Sequence, residues 1–371
     1  MNIATDPVVD RALAAGSPVA IGVSGGKDSV AAAWATVQYL RRIGHSGPRI
    51  LVHADLGRVE WQDSAPTCER LSQRLGLELV TVRRTAGDMM DRWLTRWSNN
   101  CERYANLECV QLILPWSTPS MRFCTSELKT AVICRELIRR FPGQQILSVS
   151  GIRREESANR AKAPVVKQQP KLSSVTHKTY GFDWHPIIDW KLEDVLVIAK
   201  ENHFAQHEAY TKYGASRVSC AFCIMSAAAD LRAAVSCPDN LDLYREMCDL
   251  ELRSTFAFQS GKWLCDVSPS DLTVEQRRRV GPAKETARIR AVLEDRLPKS
   301  MLYQKGWPTA VPSLEDADLL ATVRKQVADG IGLQIKYTTA RSIVERYEEL
   351  MATKKAQNKY RSKRVELEVL N

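Results

Sequence analysis

No stretch of about 18 consecutive apolar residues occurs in the chain, so no membrane-spanning helix and no membrane partner are expected. The first residues lack a basic segment followed by an apolar core, so no secretory leader is read and the expected location is cytoplasmic. No internal repeat is visible, which sets aside repeat architectures. His53, His177, His185, His203 and His207 show no metal-like pairing with carboxylates, and each is read as structural or surface. What remains is an ordinary globular balance, 44% apolar and 26% charged, in 371 residues, enough for one elaborated domain or two domains. Ten cysteines in such a chain argue against a disulfide framework and leave metal binding, catalysis or inert burial. The formal charge of +10 suits a polyanionic partner or simply a soluble basic surface. Nothing in the sequence sets an oligomeric state.

The most informative stretch is near the amino end. Val19 to Val23 is a short apolar run of the kind buried on both faces of a sheet. Ser24, Gly25, Gly26, Lys27, Asp28 and Ser29 follow, and Val30 to Leu40 is alanine-rich with no breaker, predicting a helix. A strand, a glycine bend and a helix start suit phosphate: glycine backbone approaches an anion closely, and unpaired amides and the helix dipole point at it. Lys27 adds charge; Ser24 and Ser29 add hydroxyls. This string is not the Gly-x-x-x-x-Gly-Lys-Ser/Thr loop. It resembles the pyrophosphate-binding loop of the ATP pyrophosphatases, proteins of the adenine-nucleotide α-hydrolase fold, in which an acceptor attacks the α phosphorus of ATP.

Further along, Arg49 to His53 reads as a second buried strand ending at Asp55, a candidate for the nucleotide edge. Trp61 to Leu75 is a helix and Leu77 to Val82 a third strand, so the alternation predicts an α/β, doubly wound, mainly parallel sheet. Residues 83–121 break the pattern and are expected to be an insertion over the active-site edge. Arg122-Phe-Cys-Thr-Ser-Glu-Leu-Lys129 then enters a helix near Ser126, with Thr125 or Ser126 as N-cap and Cys124 just before it. Gln145 to Ser150 is another strand, ending in Gly151, Arg153, Glu156 and Arg160. Residues 161–181, with four lysines and no periodicity, read as a mobile basic loop. From Met225 the pattern is helical almost to the end. A soft boundary near 235 divides the chain into an α/β domain, 1–235, and a helical, basic C-terminal region, 236–371.

Taken together these strings resemble the phosphoadenosine-phosphosulfate reductase branch of the ATP pyrophosphatases over roughly residues 15–230. The reductases typically degrade the Lys-Asp part of the loop and carry a nucleophilic cysteine in a Glu-Cys-Gly motif near the C-terminus. Here the loop is intact and no cysteine follows Cys265. The pattern is closest to the DNA phosphorothioation ATP pyrophosphatases, which adenylate an oxygen and replace it with sulfur. The resemblance implies that Ser24, Gly25, Gly26, Lys27, Asp28 and Ser29 bind ATP, with Asp55, Gly151 and Lys129 at the nucleotide. Arg153 and Arg160 would stabilise charge on the triphosphate, with Glu156 orienting one of them. Asp28 would bind Mg2+ through water or fix the loop.

Cys220 and Cys223 form a Cys-x-x-Cys pair, and with the distant Cys124 they suit tetrahedral sulfur ligation of iron–sulfur or zinc. The resemblance implies a 4Fe–4S cluster; structural zinc, a redox pair or inert thiols are the alternatives. Phe123 stands where cluster-binding relatives have a cysteine, so either Cys237 supplies the fourth ligand or one iron stays open. Arg277, Arg278, Arg279, Lys284, Arg288 and Arg290 form one basic group and Lys354, Lys355, Lys359, Arg361, Lys363 and Arg364 another, which suits phosphate contacts on nucleic acid or a solvated face. The expectation is an ATP pyrophosphatase serving sulfur insertion, with DNA preferred to tRNA as acceptor and a cysteine desulfurase or other sulfur donor as partner. A sulfonucleotide reductase, a tRNA thiolation enzyme and a slow ATP-binding module of a defence complex are the competing readings.

Overall fold

The computed structural model describes the backbone of residues 2–369 and the side chains of residues 2–354. The chain forms two compact units, one of Met1–Arg92 with Ser117–Arg245 and one of Trp93–Trp116 with Glu246–Asn371. The first unit thus runs to Arg245 rather than ending at 235. Residues 93–116, expected as an insertion over the active-site edge, belong to the second.

The first unit is built on β1 (Val19–Gly22), β2 (Arg49–Asp55), β3 (Glu78–Arg83), β4 (Gln145–Val149), β5 (Val166–Gln168) and β6 (Tyr180–Trp184) in the order β3-β2-β1-β4-β6-β5. All neighbours are parallel except β5, which pairs antiparallel with β6. The alternation of β1 explains the layers. Val19 and Ile21 pack with Val30, Ala33, Val37 and Leu40 of helix α2 (Lys27–Arg42). Ala20 faces the other way, onto Val132, Leu137 and Phe141 around the 131–140 helix. Helices α1 (Pro7–Ala14) and α3 (Ser64–Leu75) share the α2 face, so the sheet is covered on both sides. Burying a Val, Leu or Ile side chain stabilises by roughly 1.5–3 kcal/mol, and the full burial of Ile21, Leu40, Leu51 and Leu147 makes this the core that fixes the strand ends.

Residues 161–181 are not a mobile loop. They supply β5 and a turn at Pro170–Leu172 that sinks Leu172 fully into the sheet face beside Ile146. Two short apolar-polar runs at the sheet edge carried too little periodicity to read as strands.

The second unit is helical, with long helices at Val274–Asp295, Leu314–Ile331 and Ala340–Val369. Trp93, Trp116 and Phe258 pack edge to face with centroids 5.2–6.4 Å apart, and the Trp116 indole donates to the Phe256 carbonyl at 2.9 Å. The fully buried Glu251 carboxylate accepts the Phe258 and Leu264 amides at 2.7 Å and the Cys265 amide at 2.9 Å, organising the 256–266 loop. The first predicted basic group is largely spent on structure. Arg290 is buried, stacked 3.5 Å from the Phe256 ring and donating to the Ser254 and Thr255 carbonyls. Arg277 donates to the Ser270 and Leu272 carbonyls. Arg279, Lys284 and Arg288 pair with Asp249, Asp266 and Glu285. In the second group Lys354 donates to the Gly306 and Pro308 carbonyls, and the side chains of Lys355, Lys359, Arg361, Lys363 and Arg364 lie outside the described residues. Among the described residues no helix is long and apolar enough to cross a membrane.

Candidate functional site

Because β1 lies between β2 and β4, the segments leaving these three strands meet at one edge of the sheet, the crevice where ligands bind in open α/β folds. The bend after β1 is shaped by two features. Gly25 has φ +74°, and a Cβ there would lie 3.1 Å from the His207 ring and 3.2 Å from the Ser64 carbonyl, so glycine is required on both counts. Gly26 is the N-cap of α2 with no side-chain cap, leaving its first turn to other partners. The Ser29 hydroxyl closes the bend from within, donating to the Gly26 carbonyl at 2.8 Å and accepting the Ser24 amide at 3.3 Å.

The segment after β4 abuts this helix start. A Cβ on Gly151 would lie 2.5 Å from the Asp28 carbonyl oxygen and 3.0 Å from Ala32 Cβ, so glycine here lets strand end and helix touch. Arg153, buried, then reaches back: its Nε donates to Asp28 at 2.7 Å and its Nη1 to Glu155 at 2.7 Å. Glu156 accepts the Arg153 amide at 2.7 Å and pairs with Arg160. Asp28 is held by a guanidinium, so it acts as a clasp between α2 and the 151–160 segment.

Lys27 is engaged by the segment around Tyr210. Its Nζ donates to the Ser216 carbonyl at 2.8 Å and lies 4.9 Å from the Tyr210 ring centroid, while its backbone amide donates to the Tyr210 hydroxyl at 3.2 Å. Burial lowers its pKa, opposed by Asp28 and aided by Arg153. His207 packs in the same corner: burial lowers its pKa, its Nδ1 accepts the Ala209 amide at 3.0 Å, and its Nε2 meets the Ser64 hydroxyl at 3.2 Å. Tyr210, Ser216 and Val218 are about 190 residues from the bend in sequence, and no local pattern announces that they touch it.

On the β2 side, Asp55 accepts the Gly57 amide at 2.7 Å and pairs with Arg83. Burial works to raise its carboxyl, but the bonds from Arg83 and Gly57 hold it below the usual range. Asp55, Arg58, Trp61, Arg83 and Asp88 line a cavity of about 580 Å³, within the range of small-ligand sites.

The cysteines divide. Cys124 sits in a one-turn helix, Phe123–Thr125, that runs into a wide π turn at Ser126–Thr130, a deviation frequent at functional sites. Phe123 is buried under the Arg92 guanidinium, 4.7 Å from its centroid. The Ala221 amide donates to the Val59 carbonyl at 2.8 Å, tying the Cys220–Cys223 turn to the segment after β2, and Cys223 Sγ accepts the Met225 amide at 3.4 Å. The Cys220 thiol is pushed up to about 12, first by burial; Lys129 pulls it back while Cys223, Glu60 and Cys124 push it further. Cys124, Cys220 and Cys223 are therefore electrostatic neighbours, with Lys129 beside them rather than shown at a phosphate. Cys237 is buried elsewhere. Among the described residues it forms, with Glu208 and Asp239, the one group of three or more His, Cys, Asp or Glu ligand atoms within 4.8 Å of one another. Cys124, Cys220 and Cys223 do not form such a group.

A covered α/β sheet with a glycine bend, a half-buried lysine and a clasping arginine at its carboxyl edge places the first unit in the adenine-nucleotide α-hydrolase class. The profile of the phosphoadenosine phosphosulfate reductase domain matches residues 18–226, more than half of the chain, and the protein belongs to that family. Among solved structures, the phosphate complex of phosphoadenylyl-sulfate reductase from Candida auris is similar at 12% identity and TM-score 0.34, covering 54% of this chain and 80% of that one. The U34-tRNA thiolase NcsA from Methanococcus maripaludis with its [4Fe-4S] cluster is similar at 15% identity and TM-score 0.28, covering 67% and 75%. No curated protein matches the chain.

Proposed function

We propose that the protein is an ATP pyrophosphatase that adenylates a substrate oxygen in preparation for sulfur insertion. The observation that carries this reading is the complete Ser24–Ser29 bend at the start of α2, set against Gly151 and Arg153 on one side and the Asp55 cavity on the other. The helix start and Lys27 suit the β and γ phosphates, Arg153 and Arg160 are the cations proposed to offset the triphosphate charge, and the cavity suits the nucleoside. The acceptor oxygen attacks the α phosphorus, the bond to the β-phosphate bridging oxygen breaks, and pyrophosphate leaves. Sulfide, released from the donor's persulfide by a thiol reductant that is oxidised to a disulfide, then attacks the adenylated centre; the bond from that centre to the AMP phosphate oxygen breaks and AMP leaves. The chain's contribution is position and charge, which such a transfer needs more than a nucleophile.

Cys124, Cys220 and Cys223 fit a 4Fe–4S cluster better than a single zinc. Tetrahedral zinc with bonds near 2.3 Å draws its sulfurs to about 3.8 Å apart, and these three do not form a group within 4.8 Å. A cubane takes each thiolate on a separate iron, and the Met225 amide on Cys223 is a sulfur hydrogen bond of the kind that tunes such clusters. When bound it supplies soft, sulfur-affine iron near the transfer. Asp28, clasped by Arg153, does not fit as a direct Mg2+ ligand, and no step is assigned to that ion.

For the acceptor we favour DNA over tRNA on the resemblance, with a cysteine desulfurase as sulfur source; the paired cations of 277–290 add nothing to this choice. The family match supports one second reading, reduction of a sulfonucleotide without ATP cleavage. Incubation with α-labelled ATP separates the two. Label in AMP, with pyrophosphate released and turnover raised by DNA, supports adenylation. Sulfite release from phosphoadenylyl sulfate with ATP untouched supports the reductase and overturns it.

A further inference from the structure

Two backbone amides converge on one oxygen beside the bend. The Tyr210 hydroxyl accepts from Lys27 N at 3.2 Å and from Val218 N at 3.1 Å. The first is the amide of the first residue of α2, one of the donors that a phosphate at this helix start needs. The Lys27 ammonium is engaged by the same segment, through the Ser216 carbonyl and the Tyr210 ring face. Gly26 approaches Val218 closely, a Cβ there lying 3.5 Å from the Val218 side chain. Residues 210–218 thus hold both Lys27 donors, the backbone amide and the ammonium, with neutral oxygens.

We propose that Tyr210 is a positioning residue whose phenol oxygen stands in for a phosphate oxygen, and whose displacement by nucleotide carries word of occupancy to the Cys220–Cys223 turn. The proposal rests on the phosphate reading of the bend given above and goes beyond it. An anionic oxygen outcompetes a phenol for an amide and an ammonium, because charge-assisted hydrogen bonds are roughly twice as strong as neutral ones. When it takes Lys27, the phenol loses one of its two donors and the Ser216 carbonyl loses the ammonium. The phenol keeps Val218 N as its remaining donor, but that pair is no longer tied to the first turn of α2, so the segment opens more readily and exposes the Val218 amide. Val218 lies two residues before Cys220, whose neighbour Ala221 is pinned to Val59, so motion at Val218 is delivered to the thiols rather than dissipated along a free loop.

Hydrogen exchange on the full chain, with and without inorganic pyrophosphate as probe, tests this together with binding by calorimetry. In the wild-type chain pyrophosphate binding should speed exchange of the Val218 amide while Lys27 stays protected. Tyr210→Phe, which removes the acceptor and keeps the ring, should bind pyrophosphate about two- to tenfold more tightly, since one internal hydrogen bond no longer competes. Its Val218 amide should exchange fast with or without the probe. Binding with unchanged Val218 exchange overturns the coupling and leaves the bend as a phosphate site. Weaker binding by Tyr210→Phe overturns the stand-in role, because it means the phenol helps to hold the phosphate. Absence of any pyrophosphate binding by the wild-type chain removes both readings. The exchange measurement needs no variant, so it decides the matter even if Tyr210→Phe folds poorly.

Discussion

Gly151→Ala is the sharpest test of how the site is put together. The φ of Gly151 is not in the left-handed region, so alanine carries no conformational penalty there and its cost is one of space. The added Cβ would sit 2.5 Å from the Asp28 carbonyl oxygen and 2.9 Å from its carbon. These are backbone atoms and cannot rotate away. Restoring a contact of 3.0–3.4 Å moves the first turn of α2 by about 0.5–0.9 Å, against a close-packed interior. Overpacking of this kind costs about 1–3 kcal/mol, or about 2–12 °C in melting temperature for a unit of this size. The same movement shifts Lys27 and stretches the 2.7 Å Arg153–Asp28 clasp, so pyrophosphate release should fall about 10- to 100-fold, as a misplacement approaching 1 Å allows. Melting curves and α-labelled ATP turnover measure the two effects. Gly281→Ala is the control: it sits in the Val274–Asp295 helix with nothing within 4 Å of the new Cβ, and helix propensity predicts stabilisation by about 0.5–1 kcal/mol. A Gly151→Ala protein with native melting and turnover would refute the claim that this contact sets the helix start.

Lys27→Ala should cut AMP and pyrophosphate formation by about 10²-fold or more, with folding retained by circular dichroism; unchanged turnover contradicts a role at the phosphates. Cys220→Ser should lower the iron content of anaerobically purified protein and its absorbance near ~400 nm, whereas equal iron in both proteins excludes Cys220 as a ligand. Glu251→Ala strips three buried amides of their acceptor and should destabilise by at least about 3 kcal/mol in denaturant unfolding; less than about 1 kcal/mol would contradict its organising role. Glu294 is raised to about 7, first by burial, with Arg290 and the Leu112 amide opposing. Its stabilising contribution is thus full below about 4.5 and is lost as pH rises through about 7, a slope that Glu294→Gln should flatten in pH-dependent melting.

The sheet and the bend were legible because they are local. Val19–Gly22, Arg49–Asp55 and Glu78–Arg83 are apolar runs framed by helices, and six consecutive residues spell the bend. The short edge strand Val166–Gln168 was not, since three half-exposed residues leave no periodicity to read. The partners of Lys27 escaped for another reason. Tyr210 and Ser216 meet it only through the tertiary fold, and nothing in the local sequence around them marks the contact. The 277–290 cations mislead in the opposite direction: charge counted along the chain says nothing of Arg290 lying buried on Phe256. That Cys237 lies beside Glu208 and Asp239 is likewise a tertiary fact that its spacing did not announce.

The groups at the sheet edge come from residues 24–29, 55, 151–160 and 207–218, contributions scattered over most of the first unit. No short fragment of that unit carries all of them. A phosphate ligand bound as proposed would recognise only the completed fold, and mass action would turn its affinity into resistance to unfolding, about 2.7 kcal/mol at a hundredfold excess over Kd. Thermal denaturation against a panel of polyphosphates would rank ligands for this protein before any turnover is detected.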